Sequence, residues 1–245
     1  MTMKVLAIDA GNTRVKWGLY ADGVWAHRSW AATAEISSLA EGLRVVDAPS
    51  IIVVSNVAGA VARDAIDRAV ARYAAPTRWL VASAELCGVK SSYANPEQLG
   101  SDRWAALIGA RHRYAAPCVV VNAGTTMTVD ALSEDGLFLG GCIVPGLDLM
   151  QKALAHNTAQ LARAPGRFLY FPDNTGDAIM SGAINALAGA VDRMMTYVQE
   201  TAEREPLVVL SGGAADMLEP HLRGRVERVD NLVLEGLVQI ALQEQ

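Results

Sequence analysis

The pattern of apolar and polar residues predicts a β-hairpin at the start of the chain. Residues 3–9 form a nearly unbroken apolar run, which is typical of a buried strand. After a turn at residues 11–13, residues 15–20 alternate between apolar and polar positions and predict a second strand. The bend of this hairpin therefore carries the polar residues that follow Asp9.

Helices and strands then alternate along the rest of the chain. Ile66 and Val70 recur at helical spacing, and Ser101 is a candidate N-cap for the helix that begins there. The predicted helices cover residues 37–46, 61–74, 101–114, 147–161, about 175–200 and 231–245, and the predicted strands cover residues 50–57, 77–83, 118–122, 126–132, 138–146 and 207–210.

The opening phrase of the chain returns in a weaker form in its second half. An offset of 113 residues aligns "DAGNT" at 9–13 with "NAGTT" at 122–126. Such a repeat indicates a duplication. We therefore expect an α/β protein of two halves, residues 1–116 and 117–245, each with a mixed sheet, and a central cleft that both turns face.

Composition and charge exclude several classes of function. The chain is 51% hydrophobic and 19% charged, which is typical of a globular protein. Its formal net charge is -5, and the sequence has no block of Lys or Arg of the kind that binds nucleic acid. The first apolar stretch is too short for a signal sequence, and no run approaches the roughly 18–20 residues of a membrane helix. We predict a cytoplasmic protein whose partners include neither nucleic acid nor membrane.

The cysteines and histidines show no pattern of a disulfide framework or a zinc site. Three cysteines is an odd number, and their apolar neighbours predict reduced core thiols. The histidines lack the spacing of zinc ligands, so we expect them at the surface. These residues are Cys87, Cys118, Cys142, His27, His112, His156 and His221.

The two turns have the composition of phosphate-binding loops. Gly11 and Gly124 lack the Cβ that would block a close approach, and each is followed by threonine hydroxyls. A carboxylate beside such a turn repels phosphate unless a divalent cation lies between them, so Asp9 is a candidate Mg²⁺ ligand. Lys16 adds a positive charge. A plain hairpin with a solvated aspartate is the alternative.

The stretch "LSGGAAD" at 210–216 offers a second nucleotide-binding feature. Gly212 and Gly213 follow an apolar strand and would let a base or ribose lie against the main chain. Neither a G-x-G-x-x-G fingerprint nor a P-loop is present in the sequence. Nucleotide binding therefore rests on this feature together with the two turns.

The stretch "GSDRW" at 100–104 places an acid and a base at the start of a predicted helix. Helix N-termini favour anions, so we expect a lowered pKa for Asp102, which could accept a hydroxyl proton in phosphoryl transfer. Arg103 could bind a carboxylate or phosphate through two hydrogen bonds. The alternative is a helix-capping cluster with an outward arginine.

Six motifs together resemble one known family. "DAGNT", "YANPEQLGSDRW", "NAGTT", "GGCIVPGL", "NTGDAI" and "LSGG" occur in the order typical of type III pantothenate kinases (the CoaX family). The resemblance implies the duplicated ribonuclease-H-like fold of the actin, sugar kinase and Hsp70 superfamily. It also implies ATP-dependent phosphorylation of the primary hydroxyl of pantothenate to 4′-phosphopantothenate, the first step of coenzyme A biosynthesis.

The same resemblance implies roles for individual residues. Asp102 would be the catalytic base, and Asp9 would hold Mg²⁺. The pantothenate site would comprise Tyr93, Gly100, Ser101, Asp102, Arg103 and Thr175. The ATP site would comprise Asp9, Ala10, Gly11, Asn12, Thr13, Arg14, Val15, Lys16 and Thr125, and we add Gly212 and Gly213 from the glycine-rich stretch.

One position departs from the family pattern. The second turn usually begins with an aspartate that binds an activating monovalent cation, K⁺ or NH₄⁺, and here that residue is Asn122. An amide oxygen coordinates K⁺ without contributing charge. We expect a weaker dependence on K⁺, for which Asp130 further along the strand could compensate.

The resemblance also implies a homodimer and leaves two alternatives. Family members are usually dimers, and the helices of the second half are rich in alanine and methionine that could line the subunit interface. The first alternative is a regulatory protein of the Baf type with the same fold, which the acidic composition disfavours. The second is another small-molecule kinase or a phosphatase of the superfamily, which "GSDR" disfavours.

Overall fold

Most elements of the first compact unit lie where the apolar pattern places them, but the strands at residues 24–32, 85–86 and 89–91 were not predicted. The computed structural model describes residues 3–158, 165–202 and 204–243. Up to Tyr114 it contains β1 (Val5–Ala10), β2 (Arg14–Ala21), β3 (Val24–Ala32), α1 (Leu39–Gly42), β4 (Ile51–Asn56), α2 (Ala60–Val70), β5 (Thr77–Trp79), β6 (Glu85–Leu86), β7 (Val89–Ser91) and α3 (Ser101–Arg113).

Five of these strands form a mixed sheet in the order β3-β2-β1-β4-β5. β1 is central and pairs with β2 antiparallel and with β4 parallel, and all six of its residues are buried. A central strand that is covered on both faces needs a nearly continuous apolar sequence, which Asp9 alone interrupts here. One face packs on α1 and α2 through a core that includes Ile8, Val15, Trp17 and Ile66.

The second compact unit runs from Ala115 to Asp230 and repeats the first. It contains β8 (Cys118–Ala123), β9 (Thr126–Leu132), β10 (Leu137–Pro145), α4 (Leu147–Asn157), α5 (Thr175–Thr201), β11 (Leu207–Ser211), α6 (Ala215–Leu218) and β12 (Val226–Arg228). Its strands lie in the order β10-β9-β8-β11-β12, with the same pattern of antiparallel and parallel pairs as the first sheet. The expected duplicated α/β fold with two mixed sheets is confirmed.

The C-terminal helix α7 (Leu232–Leu242) belongs to the first unit, whereas the sequence division placed it in the second half. Its buried side chains pack against β1, β4 and α3. Two glycines allow the close approach of α7 and α3. A Cβ on Gly236 would lie 1.8 Å from the carbonyl oxygen of Ala105, and one on Gly109 would lie 2.8 Å from that of Leu232.

Several predicted elements differ in extent from those observed. The segment 37–46 is helical only as α1 with a 3₁₀ turn on either side, and the strand predicted at 77–83 ends at Trp79. The helix predicted at 147–161 ends at Asn157, because Thr158 has an extended backbone, and residues 159–161 lie outside the described residues.

No disulfide joins the three cysteines, but the predicted core position holds only for Cys118, since Cys87 and Cys142 are half-buried. The surface assignment holds for His112 and His156, whereas His27 and His221 are half-buried. Within the described ranges, no helix combines the length and the apolar character that crossing a bilayer requires.

Candidate active site

The first candidate phosphate turn joins β1 to β2 and is tied down by hydrogen bonds. The N–H of Gly11 donates to the carbonyl of Arg14 at 3.0 Å and closes the turn. From the end of β3, Thr33 donates its hydroxyl to the carbonyl of Gly11 at 2.6 Å and its N–H to that of Thr13 at 2.9 Å. The turn is thus a rigid element. Sequence reasoning missed Thr33, because no motif marks it.

The side chains of this turn divide into two groups. Asn12, Thr13 and Arg14 are exposed, and Lys16 is half-buried. Ala10 and Val15 have no exposed surface and belong to the core on the other face of the sheet. Neither the side chain nor the main chain of these last two residues is therefore accessible to a ligand in this structure.

Asp9 is a buried carboxylate at the end of β1. It is 8% exposed, and it is the cross-strand neighbour of Lys16 on β2 and of Ser55 on β4. The pKa of Asp9 is raised to about 7. Burial is the largest cause, the charge of Lys16 partly opposes it, and the charge of Asp102 adds to it. The solvated aspartate of the plain-hairpin alternative is therefore absent from this structure.

Asp102 lies in the first turn of α3 and is also desolvated. Burial raises the pKa of its carboxyl. Two effects of Arg103 offset this rise only in part: its N–H donates to Asp102 Oδ1 at 2.8 Å, and its charge favours the ionised carboxylate. The lowered pKa expected from the helix N-terminus is wrong in direction, because desolvation outweighs the helix. A Cβ on Gly100 would lie 2.7 Å from Asp102 Oδ1, so the glycine makes room for this carboxylate.

Ser101 connects the start of α3 to the strand beside Asp9. Its hydroxyl lies 2.9 Å from that of Ser55, and both serines are buried. Gly100 is the N-cap and Ser101 the first helical residue, so the N-cap expected at Ser101 is wrong. The serine pair holds the N-terminus of α3 beside β4, which brings Asp9 and Asp102 within electrostatic range.

Arg103 points into the protein. Its guanidinium donates to the hydroxyl of Tyr93 at 3.3 Å, and the residue is only 7% exposed. Charged groups are seldom buried unless they are paired or bind a ligand. The alternative of a capping cluster with an outward arginine is therefore wrong, and the structure brings together Tyr93, Gly100, Ser101, Asp102 and Arg103.

The second turn, at residues 124–126, is clamped between two glycines of the second unit. A Cβ on Gly146 would lie 2.2 Å from the carbonyl oxygen of Gly124, and the N–H of Gly146 donates to the carbonyl of Thr125 at 2.9 Å. On the other side, a Cβ on Gly212 would lie 2.4 Å from the carbonyl oxygen of Ala123. Two features therefore favour glycine at position 212: its main chain packs closely on that of Ala123, and its φ is positive at 107°.

The remaining candidate residues of the second unit have different environments. Thr125 and Gly213 are exposed, and Asn122 is half-buried beside Ser211 of β11. Asp130 is 1% exposed. It follows Thr128, the cross-strand neighbour of Asn122, by two residues, so Asp130 and Asn122 lie on the same face of the sheet. Thr175 is the exposed first residue of α5.

A small apolar cleft opens next to the second turn. Its lining includes Ala123, Ala214 and Met217, together with Leu147, Ile184, Leu187 and Leu218. The N–H of Ala214 donates to the carbonyl of Ala123 at 3.0 Å, which fixes the cleft against the turn. The cleft has room for about one water molecule and is lined by apolar atoms, so in this structure it does not admit a group the size of a purine base.

No cluster of three or more His, Cys, Asp or Glu residues suited to a metal lies among residues 3–158, 165–202 and 204–243. Mg²⁺ in phosphoryl-transfer sites is commonly held by one or two carboxylates together with substrate phosphates. The buried carboxylate of Asp9 fits this requirement, because a divalent cation would offset the unfavourable burial of its charge.

Comparison with known proteins agrees with this arrangement of residues. The chain is 47% identical to a type III pantothenate kinase from Nitrosospira multiformis over 98% of this chain and 92% of the relative. Among solved structures, it superposes with a TM-score of 0.63 and 16% identity on a protein assigned as a 2-dehydro-3-deoxygalactonokinase from Sinorhizobium meliloti, covering 98% of both chains.

A protein assigned to the Baf family of transcriptional activators from Campylobacter jejuni gives a TM-score of 0.62 at 18% identity, covering 97% of this chain and 98% of that one. At these identities the structural matches establish the fold alone, which is that of the actin, sugar kinase and Hsp70 superfamily. The sequence profile of type III pantothenate kinases matches residues 5–197. The chain therefore belongs to the type III pantothenate kinase family.

Proposed function

We propose that Asp102 is the catalytic base in the ATP-dependent phosphorylation of pantothenate, the first step of coenzyme A biosynthesis and the reaction of this family. The observation that carries the proposal is a desolvated carboxyl held by the N–H of Arg103 beside a second buried carboxylate, Asp9. Paired carboxylates of raised pKa are typical of sites that transfer protons.

The raised pKa of Asp102 suits the proton transfer that this reaction needs. A desolvated carboxylate is a stronger base than a solvated one, and in phosphoryl transfer the acceptor hydroxyl loses its proton late. Asp102 would accept that proton as the pantothenate oxygen attacks the γ-phosphorus of ATP. Arg103 and Tyr93, together with Gly100 and Ser101, would orient pantothenate, and the buried Arg103 guanidinium suits its carboxylate.

In this proposal, the turn at residues 11–13 meets the phosphates of ATP. Asp9 would hold Mg²⁺, which neutralises phosphate charge when bound, and the neighbouring Lys16 would add a second positive charge. Asn12, Thr13 and Arg14 would contribute side chains and Gly11 its main chain, whereas Ala10 and Val15 would support the turn from the core.

In the second unit, we assign nucleotide contacts to Thr125, Gly212 and Gly213. The exposure of Thr125 and Gly213 supports this assignment, because it leaves both residues accessible to a ligand. Thr175 at the start of α5 remains a proposed pantothenate contact that rests on the motif "NTGDAI".

A coupled assay of ADP release with different acceptors tests the function. We expect turnover with pantothenate at least about a hundred times faster than with N-acetylglucosamine or with no acceptor, because Arg103 and Tyr93 recognise a carboxylate-bearing acceptor. Equal rates with and without pantothenate would contradict the proposal and favour another phosphotransferase or an ATPase. The Baf-type regulatory role is not favoured. Turnover on pantothenate distinguishes a kinase from a purely regulatory protein of the same fold.

We further propose that activation by K⁺ or NH₄⁺ is weak in this protein, because Asn122 brings no charge to the second turn. Replacing K⁺ with choline should leave a rate well above background. The variant Asn122→Asp should restore a strong dependence on K⁺. A wild-type rate that falls to background in choline would show that the amide, or the neighbouring Asp130, suffices for a full cation site.

The homodimer also remains a proposal. Exposed apolar side chains on β10 and α4, including Ile143 at 59% exposure, Leu149 and Leu154, support a subunit interface on the second unit. Sedimentation equilibrium at micromolar concentration distinguishes a dimer from a monomer.

A further inference from the structure

One cation of the first turn is held by an aromatic ring that no motif includes. The guanidinium of Arg14 lies over the indole of Trp30 on β3, with 4.5 Å between the guanidinium carbon and the ring centroid. Trp30 is 57% exposed, which is unusual for so large an apolar side chain. Burial in the core therefore does not account for the tryptophan at this position.

The strand register places this pair on the face of the sheet that carries the active-site residues. Asp9 is the cross-strand neighbour of Lys16, and Lys16 is that of Trp30, so the three side chains form a row across β1, β2 and β3. Residues that face each other across a ladder share one face of the sheet, and so do residues two apart on one strand. Arg14, two residues before Lys16, therefore lies on the same face as Asp9.

The stacking also has a chemical consequence. An arginine side chain loses rotamer entropy when it is fixed, and a guanidinium that is already stacked has lost much of this freedom before a ligand arrives. The ring covers one flat face of the guanidinium. The N–H donors lie in the plane of the group and stay directed outward, where they suit phosphate oxygens.

We propose that Trp30 is a positioning residue that holds Arg14 ready for the polyphosphate of ATP. This inference rests on the proposed function, since it assigns the ligand of Arg14 within the same site. It predicts that the loss of the ring weakens nucleotide binding through Arg14 and leaves the chemistry at Asp102 unchanged.

The test is a double-mutant cycle on Trp30 and Arg14. Trp30→Leu should raise the KM for ATP about two- to fivefold, the effect of an exposed cation–π pair, while kcat and the KM for pantothenate stay within about twofold. Trp30→Tyr should restore most of the affinity. In the Arg14→Gln background, Trp30→Leu should add almost nothing, because its partner is already lost.

A matched control is available on another part of the same sheet. Arg63 of α2 lies 4.3 Å from the ring centroid of Trp79 on β5, and Arg63→Gln should leave the KM for ATP unchanged. Equal effects of Trp30→Leu in the wild-type and Arg14→Gln backgrounds would overturn the proposal, as would a parallel loss of kcat and of affinity for pantothenate.

Calorimetric binding of Mg²⁺ with adenylyl imidodiphosphate separates this inference from the proposed function. If Trp30→Leu weakens nucleotide binding in the wild type but not in Arg14→Gln, the role of Trp30 is supported even if the acceptor is not pantothenate. An unchanged affinity in Trp30→Leu overturns it even if pantothenate is phosphorylated.

Discussion

Replacing Asp102 with Asn should lower kcat by about a hundredfold while making the protein more stable at alkaline pH. General base catalysis typically contributes a factor of 10²–10⁴, and an amide cannot accept the hydroxyl proton. The amide oxygen can still accept the 2.8 Å hydrogen bond from the N–H of Arg103, so the start of α3 should keep its geometry. Steady-state kinetics with pantothenate and ATP measure the loss, and residual activity above about a tenth would contradict the assignment.

The stability effect follows from the sign of the pKa shift. The pKa of Asp102 is raised above its ordinary value of 3.8, so the folded state binds the proton more tightly than the unfolded chain does. The carboxyl therefore makes the protein less stable as the pH rises from 3.8 through the folded-state pKa, and the full penalty is present above it. Asn has no charged form, so the gain in stability of the variant over the wild type should grow as the pH rises above 3.8 and should be complete above the folded-state pKa.

Asp47→Asn is a control of opposite sign. Asp47 is exposed, and its hydrogen bond and ion pair with Lys4, with Nζ 2.8 Å from Oδ2, lower its pKa. This carboxylate adds stability above pH 3.8, which is lost as the pH falls through the folded-state pKa. Asp47→Asn should thus lose stability at neutral pH and keep full activity. A gain at pH 8 in both variants would indicate a general charge effect instead of desolvation at Asp102.

Much of the fold could be predicted because the relevant signals are local. The buried strand at Val5–Ala10, the turn after it and the repeat of both in the second unit follow from apolar runs and from glycine and threonine positions that lie close in sequence. The limits of the helices were less certain. Gly42 in the poorly predicted segment 37–46 packs against the ring of Trp17, which is a tertiary contact.

The candidate site was only partly predictable, because its electrostatics depend on burial. The residues of "GSDR" were identified, but the direction of the Asp102 pKa shift depends on how much of α3 is covered, which no local pattern reveals. The serine pair Ser55 and Ser101 and the clamp by Thr33 join segments at least twenty residues apart. These contacts arise from the order of the strands, which brings distant segments together.

The glycines show the same division between local and tertiary causes. Gly212 was assigned to nucleotide contact from its motif, yet it also packs against the main chain of Ala123. Gly109 and Gly236 carry no motif at all. Each lies where a helix of the first unit meets another, and they allow α3 and α7 to approach more closely than side chains would permit. The assignment of α7 to the first unit depends on this contact.

Gly236→Ala should lower the free energy of unfolding of the first unit by about 3 kcal/mol or more, the upper range for overpacking a core. The added Cβ would lie 1.8 Å from the carbonyl oxygen of Ala105, which belongs to the backbone of α3 and has no rotamer through which to move aside. All five tryptophans of the chain lie between residues 17 and 104, so their fluorescence in urea reports on this unit.

Gly189→Ala is the matched control, since Gly189 is also helical and a Cβ there meets nothing within 4 Å. In α5 this substitution should raise the free energy of unfolding by about 0.5–1 kcal/mol, because alanine has less freedom to lose than glycine on folding. Circular dichroism in urea measures this gain, and the midpoint of the tryptophan transition should not fall. If Gly236→Ala also proved neutral or stabilising, α3 and α7 would be able to move apart without a loss of stability. The close contact would then not be what fixes α7 in the first unit.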